Sequence, residues 1–286
     1  MKKLYGVIGD PIVHSLSAVM QNRALVKAEI DAVYLPFHVP PAELNAFMDA
    51  ARRWPCDGFN VTIPHKQSII EYLDEVSEEA RLIGAINTVT NRSGRLIGTN
   101  TDAAGFMRSL RQEGHFDPAA CTAVVLGAGG AAHAICYGLL KAGVAKIIIC
   151  NRTEAHAESL MYHFVPHYPN QIEIKKWEQA QLHEAFSQSR LLINTTSVGL
   201  NGTQFDALPL EALPHECLVS DLVYRPRQTP LLQAAASRGL RTLEGIGMLI
   251  YQGAASFEIW TGIAPDISVM RNAIIEALAH EPNQRN

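Results

Sequence analysis

The chain has 286 residues, 48% of them hydrophobic and 18% charged, with a formal net charge of −4 at pH 7. That length fits two compact domains better than one, and the apolar share can fill a buried core, which excludes a disordered chain. A pI near 6.3 without a Lys/Arg run excludes nucleic acid as an expected partner, because neutralising phosphates needs clustered positive charge.

At the start, Met1-Lys2-Lys3 before an apolar run imitates a secretory leader, but Gly9, Asp10 and Pro11 interrupt it, so residues 4–8 are expected as a first strand. Further β-type runs over 33–39 and 58–63 alternate with helical patterns over 18–28 and 42–54. Residues 86–99 read as a hairpin around Asn91-Arg92-Ser93-Gly94, which predicts a mixed sheet with an antiparallel edge. Apolar residues at helical spacing over 102–114 predict a connecting helix ending at Gly114. Residues 121–140 are apolar enough to raise the question of a membrane span, but Gly127, Gly129 and Gly130 divide them into a buried strand and an alanine-rich helix.

A second alternation follows: a strand over 146–150, a helix from Thr153, and strands over 191–194 and 218–221. This is doubly wound α/β. Helical patterns over 248–260 and 267–278 can return to the first domain, and the tail 281–286 is expected to fray. The fold class is therefore α/β with two domains: a mixed-sheet domain over 1–102 completed by 241–286, and a doubly wound domain over 103–240. Cys56, Cys121, Cys136, Cys150 and Cys217 are odd in number and lack a C-x-x-C pair, so neither a disulfide framework nor a zinc set is expected. Reduced thiols in a cytoplasmic protein, with no membrane or metal role, are the expectation.

Gly127-Ala128-Gly129-Gly130-Ala131-Ala132 fits G-x-G-x-x-A between a strand and a helix, where tight turns and free helix amides cradle a pyrophosphate. A glycine turn without a ligand is the bland alternative. The next strand ends in Cys150-Asn151-Arg152-Thr153, without the carboxylate that would hold an NAD ribose. Asn151 and Arg152 can accept a 2′-phosphate instead, which predicts NADP(H), although Arg152 also reads as a solvated surface residue.

Asn60-Val61-Thr62-Ile63-Pro64-His65-Lys66 closes a strand, with Asn60 and Thr62 on one face and Lys66 in the following loop. Lys66 alone reads as a surface group, and His65 reads as structural. Gly84-Ala85-Ile86-Asn87-Thr88 and Asn100-Thr101-Asp102 are further polar strand ends. Asp102 also serves as a first-turn helix acid, worth about 1 kcal/mol. Ser15 and Ser17 add hydroxyls, and Ser17 could cap a helix from Ala18. Uncharged hydrogen-bonding groups at strand ends suit a small polyhydroxy ligand better than a metal or a phosphate.

These pieces, with residues 194–199, 221–224 and 245–252, cover the chain in the order of the shikimate dehydrogenase family, which the sequence resembles. The resemblance implies a discontinuous substrate domain, a Rossmann domain, and reversible reduction of 3-dehydroshikimate to shikimate with NADPH. It makes Lys66 and Asp102 the catalytic pair, expected to meet at the cleft where nicotinamide and substrate join. Ser15 and Ser17 would hold the substrate carboxylate; Asn60, Thr62, Asn87 and Gln252 would contact hydroxyls or position neighbours; Tyr224 would face the substrate. Gly127, Ala128, Gly129, Gly130, Ala131, Asn151, Arg152 and Thr153 would hold the nucleotide, and Thr195, Ser197, Leu222, Gly245 and Met248 would line its nicotinamide end. Ala18 and Gln21 depart from the proline and histidine often found at those positions. Alternatives are a broader quinate/shikimate dehydrogenase and a catalytically silent cofactor-binding regulator. A monomer or a homodimer is expected.

Overall fold

Apolar runs bounded by turn residues set the elements of the first half of the chain, in a computed structural model that describes residues 2–13, 15–53 and 55–280. They are β1 (Lys3–Gly9), α1 (Ser17–Lys27), β2 (Ala32–His38), α2 (Leu44–Arg53), β3 (Cys56–Val61), β4 (Glu75–Val76), α3 (Glu78–Ile83), β5 (Thr88–Arg92) and β6 (Arg95–Thr99). The sheet order is β2-β1-β3-β5-β6-β4. β1 runs parallel to β2 and β3, whereas β5 is antiparallel to β3 and β6, so the sheet is mixed as expected. β1 is buried from Tyr5 to Gly9, with β2 paired on one side and β3 on the other. In the hairpin, Arg92 pairs with Arg95 across Ser93 and Gly94. Both central residues have positive φ, +54° and +89°, the geometry of a two-residue primed turn. Ile8, Met48, Phe59, Ile86, Val89 and Leu96 share one apolar core.

Several boundaries differ from expectation, among them β2, which covers Ala32–His38, and α4, which ends at Gln112 rather than Gly114. β3 ends at Val61 rather than 63; Thr62 still donates to the carbonyl of Ile8 at 3.0 Å, and the chain then turns. A 3-10 turn, Pro41–Glu43, precedes α2, so the helix expected from 42 starts at Leu44, and Trp54 at its far end lies outside the described residues. α1 begins at Ser17 itself, with Leu16 in the N-cap position and Ser15 Oγ accepting from the Ser17 amide at 3.3 Å. Ser17 therefore does not cap α1; the hydroxyl at the helix end is that of Ser15.

The second unit comprises α4 (Asp102–Gln112), β7 (Thr122–Leu126), α5 (Gly130–Lys141), β8 (Lys146–Asn151), α6 (Glu154–Phe164), β9 (Ile172–Lys176), α7 (Gln179–Ser187), β10 (Leu191–Asn194), β11 (Leu218–Asp221), α8 (Pro230–Ser237) and β12 (Arg241–Leu243). Its sheet is parallel throughout in the order β12-β11-β10-β7-β8-β9. The strand order reverses between β7 and β10, the switch point where open α/β sheets bind ligands.

α9 (Ile246–Thr261) and α10 (Ile267–Ala279) follow, and from Leu249 the chain belongs again to the first unit, whose N-terminal part ends at Thr101. α10 packs on α1. Trp260 stacks on Tyr5 at 5.0 Å between ring centroids, while its indole N–H donates to the carbonyl of Val89 at 3.0 Å. The return comes later than the expected residue 241, because Arg241–Leu243 pairs in parallel with β11 and so extends the second unit to Met248. The tail 281–286 lies outside the described residues. Among the described residues no helix is long and apolar enough to cross a membrane, and the stretch 121–140 is β7 and α5 with the glycine turn between them.

Candidate active site

In the first unit the polar strand ends converge. Asn60, the fifth residue of β3, is nearly buried, and both ends of its amide are engaged. Its Nδ2 donates to the Asn87 carbonyl at 3.0 Å, to Thr88 Oγ1 at 3.1 Å and to Ser256 Oγ at 2.9 Å, while its Oδ1 accepts from the Tyr34 hydroxyl at 2.8 Å. Tyr34 in turn bonds the Ser17 hydroxyl, and burial holds its own hydroxyl well above the ordinary tyrosine range. Of the two roles open to Asn60, positioning its neighbours is the one these contacts support.

Asn87 sits just ahead of β5. Its Oδ1 accepts from the Thr101 amide at 2.8 Å and from Thr88 Oγ1 at 2.9 Å. Its Nδ2 donates to Thr101 Oγ1 at 2.8 Å and to Gln252 Oε1 at 3.2 Å. Gln252 Nε2 donates to the Leu249 carbonyl at 2.7 Å within α9. One network therefore joins Ser17, Asn60, Asn87 and Gln252.

Lys66 lies beside this network in the turn that follows β3 and is partly exposed. Its carbonyl accepts from the amide of Ile86 at 2.7 Å, which ties the lysine turn to the Asn87 segment. His65 is buried with Nε2 2.6 Å from the Val39 carbonyl, a structural contact as expected. Thr62 and Ser15 are partly exposed at the same strand-end edge. Gln21, one turn beyond Ser17 on α1, donates from Nε2 to the Gly253 carbonyl at 2.9 Å, next to Gln252.

In the second unit the glycine loop leaves β7 at Gly127, whose φ of +107° and close neighbours Thr195 Oγ1 (2.7 Å from an added Cβ) and Thr196 Cγ2 (2.8 Å) admit only glycine. Gly129, at φ −90° and ψ −172°, is different: a Cβ there would meet no protein atom within 4 Å. The space beside Gly129 is thus open, directly before the first turn of α5 where Gly130 and Ala131 follow, and an anion approaching those amides fits it. Ala128 is partly exposed between the two glycines.

The amide of Gly127 donates to the Cys150 carbonyl at 2.9 Å, so the ends of β7 and β8 are adjacent. At that end Asn151 donates to the Thr153 carbonyl at 2.8 Å, Arg152 is exposed, and Thr153 occupies the N-cap position of α6. A neutral asparagine and a solvent-facing guanidinium thus stand where a carboxylate would repel a 2′-phosphate.

Across the switch point Thr195 Oγ1 donates to the Leu126 carbonyl at 2.7 Å, and Ser197 is exposed two residues on. Gly245 is packed so closely against the Leu222 carbonyl that a Cβ has no room. Tyr224 follows Leu222 partly exposed, and Met248 is buried in the first turn of α9. Asp221, at the end of β11, is buried and accepts from Asn194 Nδ2 at 2.9 Å, the Val223 amide at 3.0 Å and Thr229 Oγ1 at 2.6 Å. Burial outweighs these bonds and pushes its carboxyl up to about 6.

Tyr34, Ser256, Thr229 and the carboxyl of Asp221 are not among the site residues that the sequence predicts. Only Ser256 carried a readable sign, a hydroxyl one helical turn after Gln252 in an otherwise apolar run. All five cysteines are free and buried, with burial pushing Cys56, Cys121 and Cys217 up to about 11 and Cys136 and Cys150 up to about 12. Among the described residues no cluster of His, Cys, Asp and Glu could hold a metal ion.

Family models match three stretches: a shikimate dehydrogenase substrate binding domain over residues 7–89, a shikimate/quinate 5-dehydrogenase over 110–199, and a shikimate 5′-dehydrogenase C-terminal domain over 245–275. The chain is 42% identical to a shikimate dehydrogenase (NADP(+)) of Geobacter metallireducens, over 96% of this chain and 97% of that one. Identity to the shikimate dehydrogenase (NADP(+)) of Geobacillus kaustophilus is 40%, over 97% and 99% of the two chains. Among solved structures, shikimate 5-dehydrogenase of Thermus thermophilus in complex with NADP(H) and shikimate is 38% identical, with a TM-score of 0.85 over 96% of this chain and 99% of that one. With these matches spanning nearly all of its length, the chain belongs to the shikimate dehydrogenase family.

Proposed function

We propose that this chain reversibly reduces 3-dehydroshikimate to shikimate with NADPH, with Lys66 and Asp102 as its catalytic residues. The observation that carries the reading is the uncharged amide and hydroxyl network of Asn60, Asn87 and Gln252 beside the Lys66 turn, a surface suited to a small polyhydroxy ring. NADPH supplies the hydride that reaches the ketone carbon. The Lys66 ammonium faces the oxygen that becomes a hydroxyl, where two roles are open to it: giving that oxygen a proton, or orienting and polarising it with its positive charge. Asp102, which opens α4 and is buried, accepts a hydrogen bond from the neighbouring ring hydroxyl and orients it.

Ser15 and Ser17 bind the carboxylate, Thr62, Asn87, Gln252 and Tyr224 contact ring hydroxyls, and Asn60 holds Asn87 in place. Gly127, Ala128, Gly129, Gly130 and Ala131 cradle the pyrophosphate, while Asn151, Arg152 and Thr153 receive the 2′-phosphate. Thr195, Ser197, Leu222, Gly245 and Met248 line the nicotinamide end. The same reading places the enzyme in the cytoplasm, where reduced thiols persist, as a monomer or a homodimer.

Nicotinamide absorbance followed with shikimate or quinate, and with NADP or NAD, tests the reading. Shikimate with NADP gives the highest kcat/KM; equal efficiency with quinate makes the enzyme the broader dehydrogenase, and no shikimate-dependent reduction of NADP overturns the proposal.

A further inference from the structure

Ser256 is completely buried on α9, one turn after Gln252, and its Oγ has four polar neighbours. These are Thr88 Oγ1 at 2.8 Å, Asn60 Nδ2 at 2.9 Å, the Gln252 carbonyl at 3.1 Å and Thr101 Oγ1 at 3.2 Å. The directions of donation follow from the Thr101 amide, which can only donate, and the Gln252 carbonyl, which can only accept. Because the Thr101 amide lies 2.8 Å from the Asn87 side chain, the atom facing it is the carbonyl Oδ1, and Nδ2 must point the other way.

Asn87 Nδ2 then donates to Thr101 Oγ1, which sends its own proton toward Ser256. Oδ1 takes the Thr88 proton, and the single Ser256 proton goes to the Gln252 carbonyl, which can only accept, so Ser256 Oγ accepts from Asn60 Nδ2 and Thr101 while it lies 2.8 Å from Thr88 Oγ1. The result is a closed ring of contacts, Asn87 to Thr101 to Ser256 to Thr88 and back to Asn87, which Ser256 also ties to the Gln252 carbonyl.

We infer that Ser256 is a positioning residue: it closes a hydrogen-bonded ring that fixes the amide of Asn87 and, through it, the amide of Gln252. A flipped Asn87 would set its NH2 against the Thr101 amide and its carbonyl against Gln252 Oε1, so the ring leaves one orientation for each amide. The inference rests on the proposed substrate roles of Asn87 and Gln252. In effect, α9 brings its substrate-facing glutamine and the hydroxyl that orients it on successive turns. The ring also holds Thr101, the residue before Asp102, by both its amide and its hydroxyl. Residues that hold a binding group in place commonly affect affinity about as strongly as the group itself.

The test uses the full-length protein with S256A, S256T and T88V. S256A is expected to raise KM for shikimate roughly tenfold, an effect the size of one lost buried hydrogen bond, with KM for NADP unchanged within about two-fold. S256T, which keeps the hydroxyl, restores the shikimate KM, and T88V reproduces the S256A effect from the other side of the ring. An S256A or T88V protein with an unchanged shikimate KM overturns the inference, as does a KM for NADP that rises in parallel. If S256A does not fold, T88V decides by the same criteria. Hydrogen exchange of the Asn87 side-chain NH2, read by NMR without ligand, separates this inference from the functional reading. Faster exchange in T88V supports the ring even if the wild type does not oxidise shikimate, and unchanged exchange overturns it.

Discussion

The Thr229 hydroxyl donates to Oδ2 of Asp221 at 2.6 Å, and it does so where burial has already made that carboxylate costly to ionise. Thr229 also caps α8 by accepting from the Leu232 amide at 3.3 Å, so one side chain ties the end of β11 to the start of α8. With its carboxyl pushed up to about 6, Asp221 holds its proton more tightly in the folded protein than in the unfolded chain. Between about pH 4 and pH 6 unfolding therefore releases a proton, and stability falls as pH rises, by on the order of 2–3 kcal/mol from this group. Asp221→Asn keeps an acceptor for Asn194 and Val223 but cannot ionise. Thermal midpoints measured from pH 4 to pH 7 should show the wild-type advantage over this variant shrinking as pH rises; an advantage that stays constant contradicts the assignment.

Both ends of the Asn60 amide are engaged with buried neighbours, so its removal should cost stability. Asn60→Ala leaves the buried Tyr34 hydroxyl without its Asn60 acceptor and takes one donor each from Thr88 and Ser256. The expected loss is about 3 kcal/mol of unfolding free energy, as for a broken buried polar network. Urea unfolding checks this. A loss of shikimate affinity with an unchanged midpoint would instead make Asn60 a direct contact.

The two loop glycines should separate stability from cofactor binding. Gly127→Ala forces a side chain to a φ of +107° and against Thr195, so it destabilises the second unit by about 2 kcal/mol or more. Gly129→Ala meets no protein atom and adopts an ordinary extended backbone. Its thermal midpoint should stay within about 2 °C of wild type while NADPH binding weakens roughly tenfold, because the methyl enters the space left for the pyrophosphate. Calorimetric titration reads the binding; unchanged affinity would place the pyrophosphate elsewhere.

Arg152→Ala should lower the ratio of kcat/KM for NADP over NAD by roughly 10- to 100-fold, since only the 2′-phosphate uses the guanidinium. Equal losses with the two cofactors would assign Arg152 to the shared part of the nucleotide.

Much of this architecture could be read from residue order. The strands over 191–194 and 218–221 have the expected limits, because fully buried parallel strands are unbroken apolar runs ended by polar residues. β9 escaped notice because Ile172–Lys176 is a half-exposed edge strand that carries two lysines, and β12 because it is only three residues long. The turn between β7 and α5 was legible from Gly127, Gly129 and Gly130. The second layer of the substrate site was not. Tyr34 and Ser256 act through contacts 26 and 196 residues away in sequence, and no local pattern encodes such pairings.

The central claim is most directly tested by shikimate-dependent NADPH formation in wild type and Lys66→Met, with NADPH affinity measured on both proteins. Wild type should turn over shikimate robustly, with kcat roughly 10²- to 10⁴-fold lower in the variant and NADPH affinity unchanged within about two-fold. Near-normal turnover of Lys66→Met on shikimate would contradict it.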